Sequence, residues 1–578
     1  MKTPVSSRWV PRYRHGVDKV DRRRFLGLAG LGLLGSACGS EMRRPRADTA
    51  DADAVNDASD DLGTCSCDPL DLADATPLGD VDTVNSDAPA EDDLEVDAGP
   101  ELDAGPELDA GPDSLGIDTV DAGPADVAAP CPDPHGCFDP DAWTPLAEAF
   151  PYGVQAGDPS EDGARLWTRY LGASPMTLVV FEGEAGVGTI ARSHETQVDP
   201  TPADVAGAGF ATRVVTGLAP GTHYRYAFVT AVGRSAVGHF KTAPARGTRP
   251  VVRFTATSCS NYGYRPYRTI GVAAAKRPDF HVLLGDTCYC DGAYTLADYR
   301  NLWSTTFLEP NYQALFATCG TFATWDDHEV TNDWNPEQVE RPRLMNAIQA
   351  FREHLAFREP PLLPRGGGGP DGDGLPPDRI HLWRSQRWGE TVEIIVLDCR
   401  SERLMSTQHT ERAQYLSRAQ MDWLKATLAA SPCRFKVIVS SVPVTDMPGY
   451  FQQVRDRWAN YETQRTEILD FIAGRVPGGR KVRGVIWLAG DYHFAALTRI
   501  DRAGGPNADR FEIIASPAAN APNAVWSQVL TDDVAQFPFA AGVHNVSELT
   551  LDPETGHVLV TWYDGAGAEL GTRIYPVD

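Results

Sequence analysis

From residue 250 onward the chain carries short, mainly apolar runs, at 251–257, 280–284, 321–325, 393–397, 436–439 and 485–489. Strands rich in Val, Ile and Leu on both faces belong to sheets covered by helices, so the pattern predicts an α/β (α+β) domain over 250–578. Ligands in such folds collect outside the strand ends. Four of the runs lead straight into polar, metal-competent residues. They are Ser258-Cys259-Ser260-Asn261, Gly285-Asp286-Thr287-Cys288-Tyr289, Asp326-Asp327-His328-Glu329 and Gly490-Asp491-Tyr492-His493. A single Asp or Cys after a strand is ordinarily a cap or a turn; four clusters in succession predict one shared site.

Upstream the pattern changes to shorter, alternating runs at 164–169, 176–182 and 211–216, followed by Gly217 to Tyr226 and Gly238 to Pro244. Alternation around a Leu-x-Pro-Gly-Thr-x-Tyr corner, Leu218 to Tyr224, predicts a small all-β sandwich of fibronectin type over 148–246. In such a corner the tyrosine hydroxyl ties a loop back to the backbone. The expected role of this sandwich is to brace the next domain.

Charge separates the remaining residues. Of a net charge of -27 over 578 residues, residues 51–130 supply 24 Asp or Glu and no Lys or Arg, and Asp-Ala-Gly-Pro recurs at 97–100, 103–106, 109–112 and 121–124. Self-repelling charge without apolar periodicity cannot bury enough surface to offset chain entropy, so 39–140 reads as a disordered acidic tether. The repeats lack the alternating ligands and closing Glu of a calcium loop. No basic stripe is present for a nucleic-acid scaffold that binds by counterion release. At 1–38, Asp21-Arg22-Arg23-Arg24-Phe25-Leu26 precedes a short Gly/Leu/Ala run ending at Cys38, the pattern of a twin-arginine export signal. Gly35-Ser36-Ala37-Cys38 resembles a lipobox, with Gly where Leu is usual. The expected location is therefore the periplasm or cell surface, with membrane contact only through a lipid on Cys38. Disulfides are permitted there among Cys65, Cys67, Cys131 and Cys137.

The order Gly-Asp-x-x-Tyr, Asp-His-Glu, Gly-Asp-x-His resembles the calcineurin-like metallophosphoesterases, and among them the purple-acid-phosphatase branch that adds a Tyr ligand. Ser258-Cys259-Ser260-Asn261 and Trp325-Asp326-Asp327-His328-Glu329 narrow the resemblance to PhoD-like alkaline phosphatases and phosphodiesterases. The segment Phe150 to Pro159, Val396-Leu397-Asp398-Cys399-Arg400 and Gln420-Met421-Asp422-Trp423-Leu424 support it, and it runs from about residue 148 to the C-terminus. The resemblance implies a four-layer metallophosphoesterase β-sandwich flanked by helices and an exported hydrolase acting on small or polymeric phosphate esters as a monomer. It implies iron(III) held by Cys259, Asp286, Tyr289 and His493. The second position would use Asp286, Asp327 and Asp491, an oxygen-rich set suited to calcium, with manganese or magnesium as substitutes. Asp286 would bridge the two cations, and a metal-bound hydroxide would attack phosphorus in line. His328, next to the metal-bound Asp327, is the expected catalytic group that binds phosphate and protonates the leaving oxygen.

Around this set, Asp326 is expected to orient its neighbours, Asn332 is a candidate extra oxygen ligand, and Arg400 either contacts phosphate or makes an ordinary salt bridge. Cys288 and Cys290 depart from the family's usual apolar or small residues. A buried pair, a disulfide to Cys319 and an added ligand all remain open for them. Two other functions compete: a surface-anchored binding protein without activity, and a purple-acid-type phosphatase with iron and zinc. Retention of Asp286, Asp327, His328 and His493 speaks against the first, and Asp at 491 where that branch has His speaks against the second. The Gly/Pro-rich segment 360–380 is expected to loop over the cleft.

Overall fold

The computed structural model describes residues 143–577 apart from 173, 184–191, 199–208, 361–378 and 452–455. The expected export signal, the whole tether with Cys65, Cys67, Cys131 and Cys137, and most of the 360–380 segment lie outside the described residues. All described residues fall in one unit, Asp118–Asp578.

Two sheets stack face to face. One has nine strands in the order Glu569–Pro576, His557–Tyr563, Val546–Asp552, Val252–Thr257, Phe280–Leu283, Gly320–Ala323, Val154–Ser160, Gly163–Arg169, Phe210–Val215. The other has seven, in the order Arg384–Trp388, Val392–Val396, Phe435–Val439, Val485–Ala489, Phe511–Ile514, Ala495–Arg499, Phe539–Ala541. Between them lies a core to which Phe254, Phe280 and Val282 contribute from one side and Ile394, Val437 and Ile486 from the other. Full burial of each such side chain is worth roughly 1.5–3 kcal/mol. The outer face of the nine-stranded sheet packs on Arg268–Ala275, Leu296–Phe307, Pro310–Thr318 and Arg341–His354, and that of the seven-stranded sheet on Arg418–Ala430 and Glu462–Ala473. The arrangement is helix, sheet, sheet, helix, which is why the inner strands are apolar on both faces. Among the described residues no helix is long and apolar enough to cross a membrane.

The segment expected to form a fibronectin-like sandwich divides between two sheets. Arg192–Val198, Met176–Glu182, His223–Thr230, Gly233–Arg234 and Gly238–Lys241 make a five-stranded sheet of their own. Its partner strands Val154–Ser160, Gly163–Arg169 and Phe210–Val215 are the edge of the nine-stranded sheet, joined through the parallel pairing of Gly157 with Thr321. The two layers enclose Phe150, Leu166, Leu178, Tyr226 and Phe240. The tyrosine corner is present, the Ala219 amide donating to the Tyr224 hydroxyl at 2.8 Å. A buried bidentate pair, Arg384 with Asp158 at 2.7 Å through both nitrogens, ties this edge to the seven-stranded sheet.

Register brings the chemistry together. Thr257, Leu283 and Ala323 sit side by side in three adjacent parallel strands, so the loops beginning at Ser258, Leu284 and Thr324 leave from the same edge. In the other sheet Val439 pairs with Leu488, and the loop carrying Asp491 and His493 leaves after Ala489.

Candidate metal centre

The strand-end loops make turns that most side chains avoid. Cys259, Asp286, Asp491 and His493 all have positive φ, at 59°, 53°, 61° and 54°. Such conformations cost on the order of 1 kcal/mol or more each and persist where surrounding structure enforces them. Gly285, at φ 98°, allows the close approach that makes this possible, since a Cβ there would lie 2.6 Å from the Asp326 amide nitrogen. At Gly490 a Cβ would lie 2.5 Å from Ser258 Oγ.

Four expected ligands converge. Cys259 Sγ lies 3.3 Å from Asp286 Oδ2, the Tyr289 hydroxyl lies 3.2 Å from the same oxygen, and that hydroxyl is 3.3 Å from His493 Nε2. The other Asp286 oxygen, Oδ1, accepts the His328 amide at 3.4 Å. Ligand atoms within 4.8 Å of one another form three groups: Cys259, Asp286 and His493; Asp286, Asp327 and His328; and Asp327, Asp333 and Asp456. Asp286 belongs to two of them, with its two oxygens turned to different neighbours, as a bridging carboxylate requires. The second expected set is assembled in part. Asp286 and Asp327 adjoin, whereas Asp491 stands outside these groups, its buried Oδ2 4.0 Å from Arg457 Nε and without a hydrogen bond.

Several residues to which sequence reasoning gave no role hold the set in place. Buried Glu329 accepts the amides of Asp286 at 3.1 Å, Thr287 at 2.6 Å and Asp326 at 2.9 Å, stapling two strand-end loops to each other. Asn520 Nδ2 donates to the Tyr289 hydroxyl at 2.7 Å, and Ser516 Oγ donates to Cys259 Sγ at 3.2 Å. Asp291 lies 2.8 and 2.9 Å from His328 Nδ1, and the His328 ring stacks on Tyr289 with centroids 4.0 Å apart. Asp291 is five residues past Asp286 and could have been noticed as the next acid in that cluster.

Arg400 is fully buried and pairs with Asp326 and Asp456, with Asp327 Oδ1 3.6 Å away. It therefore makes the salt bridges that were one of its two expected roles, and Asp326 orients it. Asn332 donates its amide to Asp291 at 2.7 Å and its side chain to Asp333 at 3.0 Å. Cys288 and Cys290 are buried free thiols with sulfurs 3.4 Å apart, and Cys319 is a free thiol as well.

The electrostatics of the site follow from its burial and its crowded acids. Burial, then the charge of Asp286, pushes the Cys259 thiol well up, and the same two causes push Tyr289 well up. Burial with the charge of Asp456 raises Asp491 to about 7. Burial alone would lower His328, but the carboxylates of Asp286, Asp327 and Asp291 raise it to about 11. Burial lowers His493 to about 4, leaving a neutral imidazole suited to coordination. Protein cations offset only part of this buried acidity, so the donor set of carboxylates, thiol, phenol and neutral imidazole, with an orphaned Asp491 oxygen, fits multivalent cations.

The sequence matches the family described as PhoD-like phosphatase over residues 254–536, and the PhoD-like phosphatase N-terminal domain over residues 138–244. The chain belongs to the PhoD-like phosphatase family. It is 26% identical over 414 residues to alkaline phosphatase D of Bacillus subtilis (strain 168), an alignment covering 62% of this chain and 67% of that relative. Family and relative make this PhoD-like phosphatase a phosphoric ester hydrolase. Among solved structures, one described as PhoD superposes with a TM-score of 0.61 at 22% identity, over 74% of this chain and 89% of the other. A purple acid phosphatase from yellow lupin (Lupinus luteus) seeds does so with a TM-score of 0.50 at 12% identity, over 73% of each. The fold is thus that of the metallophosphoesterases.

Proposed function

We propose that this phosphatase is an exported, metal-dependent phosphomonoesterase or phosphodiesterase. In this reading iron(III) is held by Cys259, Asp286, Tyr289 and His493, and calcium, manganese or magnesium by Asp286, Asp327 and Asp491. The observation that carries it is Asp286, whose Oδ2 faces Cys259 and Tyr289 while Oδ1 faces the Asp327-His328 turn. Bound cations supply Lewis-acid polarisation of the ester and acidify an attacking water.

The chain's own groups do the rest. Asp291 takes up His328 Nδ1, which leaves Nε2 as the atom to hand a proton to the departing oxygen. Stacking on Tyr289 fixes the plane of that ring. The three amides on Glu329 keep the loops in register before substrate arrives, so little reorganisation is needed on binding. Export rests on Arg22-Arg23-Arg24-Phe25-Leu26, and the lipid anchor on Cys38.

The test is metal analysis and visible absorption of the purified enzyme, with hydrolysis of a monoester and a diester, for wild type and Tyr289→Phe. Bound iron with a tyrosinate charge-transfer band that the variant loses is the expected result. Active protein without iron, and a variant that behaves as wild type, would overturn the ligand assignment.

A further inference from the structure

We infer that the enzyme carries a second oxyanion site, remote from the metal centre, on the outer face of the pairing between strands His223–Thr230 and Gly238–Lys241. Its ligand is a phosphate group, either free or borne on a larger molecule.

In this pairing His223 stands opposite Lys241 and Arg225 opposite His239. Residues two apart share a strand face, so all four basic side chains lie on one side, while Tyr224 and Phe240 point into the sandwich core. Lys241 has Asp279 at 2.6 Å. From the turn before Phe280–Leu283, exposed Arg277 adds a guanidinium with no hydrogen bond or ion pair among the described residues.

These groups surround a cavity of about 360 Å³ lined by His223, His239, Lys241, Arg277, Asp279 and Thr318. At about 30 Å³ for each water it has room for an oxyanion with part of its hydration shell. The single acid among the described lining residues is already in an ion pair. The local field agrees with this: burial lowers His239 to about 4, and Arg225, Arg277 and His223 push it the same way. A guanidinium, an ammonium and imidazole N–H groups around one cavity are the donors that phosphate takes. Asp279 precedes and Asp286 follows the same strand, which puts the two sites roughly 20 Å apart at 3.3 Å per residue. The inference therefore stands independently of the metal assignment.

The experiment is calorimetric titration of the full-length, metal-loaded enzyme with inorganic phosphate and, separately, with tripolyphosphate. Wild type, Arg277→Ala and Asp286→Asn are compared, and His223 and His239 ring resonances are followed by NMR. Arg277→Ala is expected to weaken one binding event at least tenfold while hydrolysing a small monoester at the wild-type rate. Asp286→Asn should retain that event, with both imidazoles shifting on addition of phosphate. Tighter binding of tripolyphosphate would identify phosphoryl groups on a chain as the ligand, and equal or weaker binding would identify free phosphate. Isotherms unchanged by Arg277→Ala, or imidazoles that ignore both anions, would overturn the inference.

Discussion

Replacing Asp291 by Asn tests whether His328 works as the proton donor. The substitution keeps the shape of the side chain, and its carbonyl oxygen can still accept the Asn332 amide now 2.7 Å from Asp291. What disappears is the negative charge 2.8–2.9 Å from His328 Nδ1, a contact in which the imidazole is mostly buried and the carboxylate about half exposed. A hydrogen bond to a charged group contributes about 1.5–3 kcal/mol. The exposure of Asp291 argues for the lower half of that range, since solvent screens it. At about 1.4 kcal/mol per tenfold, kcat should fall about 10- to 40-fold with KM little changed. The pH profile separates this from a structural effect. Asp291 raises His328 both through its hydrogen bond and through its charge, beside the charges of Asp286 and Asp327, so removing its charge lowers the histidine's pKa. Activity that needs protonated His328 is lost as pH rises through that pKa, so the alkaline limb should move to lower pH. A variant with wild-type kcat and an unmoved alkaline limb would refute the proton-donor role.

Other changes follow from the same contacts. Asp158→Ala strands buried Arg384 and should cost about 3–5 kcal/mol, read as a lower denaturant midpoint; a loss under 1 kcal/mol would show the pair to be dispensable. Asn520→Ala removes the 2.7 Å bond to the Tyr289 hydroxyl, so the tyrosinate band should shift with iron still bound, and an unmoved band would argue against that contact in the loaded enzyme. Stripping metal with a chelator should abolish hydrolysis and lower the melting temperature, because cations that bind only the folded chain stabilise it by mass action; full activity after complete removal would end the metal-dependent reading. Glu329→Gln keeps one acceptor for three amides and should reduce kcat and metal affinity together, whereas a change in neither would mean the loops hold without it.

The residues that converge at the strand ends were legible because each belongs to a short-range signal, a run of apolar residues ending in Asp, His, Cys or Tyr. Strand pairing then brings such ends together without further instruction, as Thr257, Leu283 and Ala323 show. Of the residues around them, Glu329 lies within such a cluster, but the others carry no such signal. Asn520 reaches Tyr289 across 231 positions and Asp456 reaches Arg400 across 56, and neither follows an apolar strand in a pattern distinct from an ordinary loop. The same limit explains the N-terminal segment. Its alternation predicts a sandwich correctly as strands, but the bond between Gly157 and Thr321 that makes one of its layers continuous with the catalytic sheet is a tertiary fact.

Local preference runs against the site itself. Asp tolerates the left-handed backbone region comparatively well, but Cys259 and His493 are there too, at φ 59° and 54°. A sequence selected only for stability would put Gly or Asn at both positions. That a thiol and an imidazole occupy them, each beside the shared Asp286 oxygen or the Tyr289 hydroxyl, means the fold sustains backbone strain while bringing these side chains to one point. Cys259→Gly and His493→Gly should therefore relieve strain in metal-free protein while weakening metal binding, so that stability and metal affinity change in opposite directions.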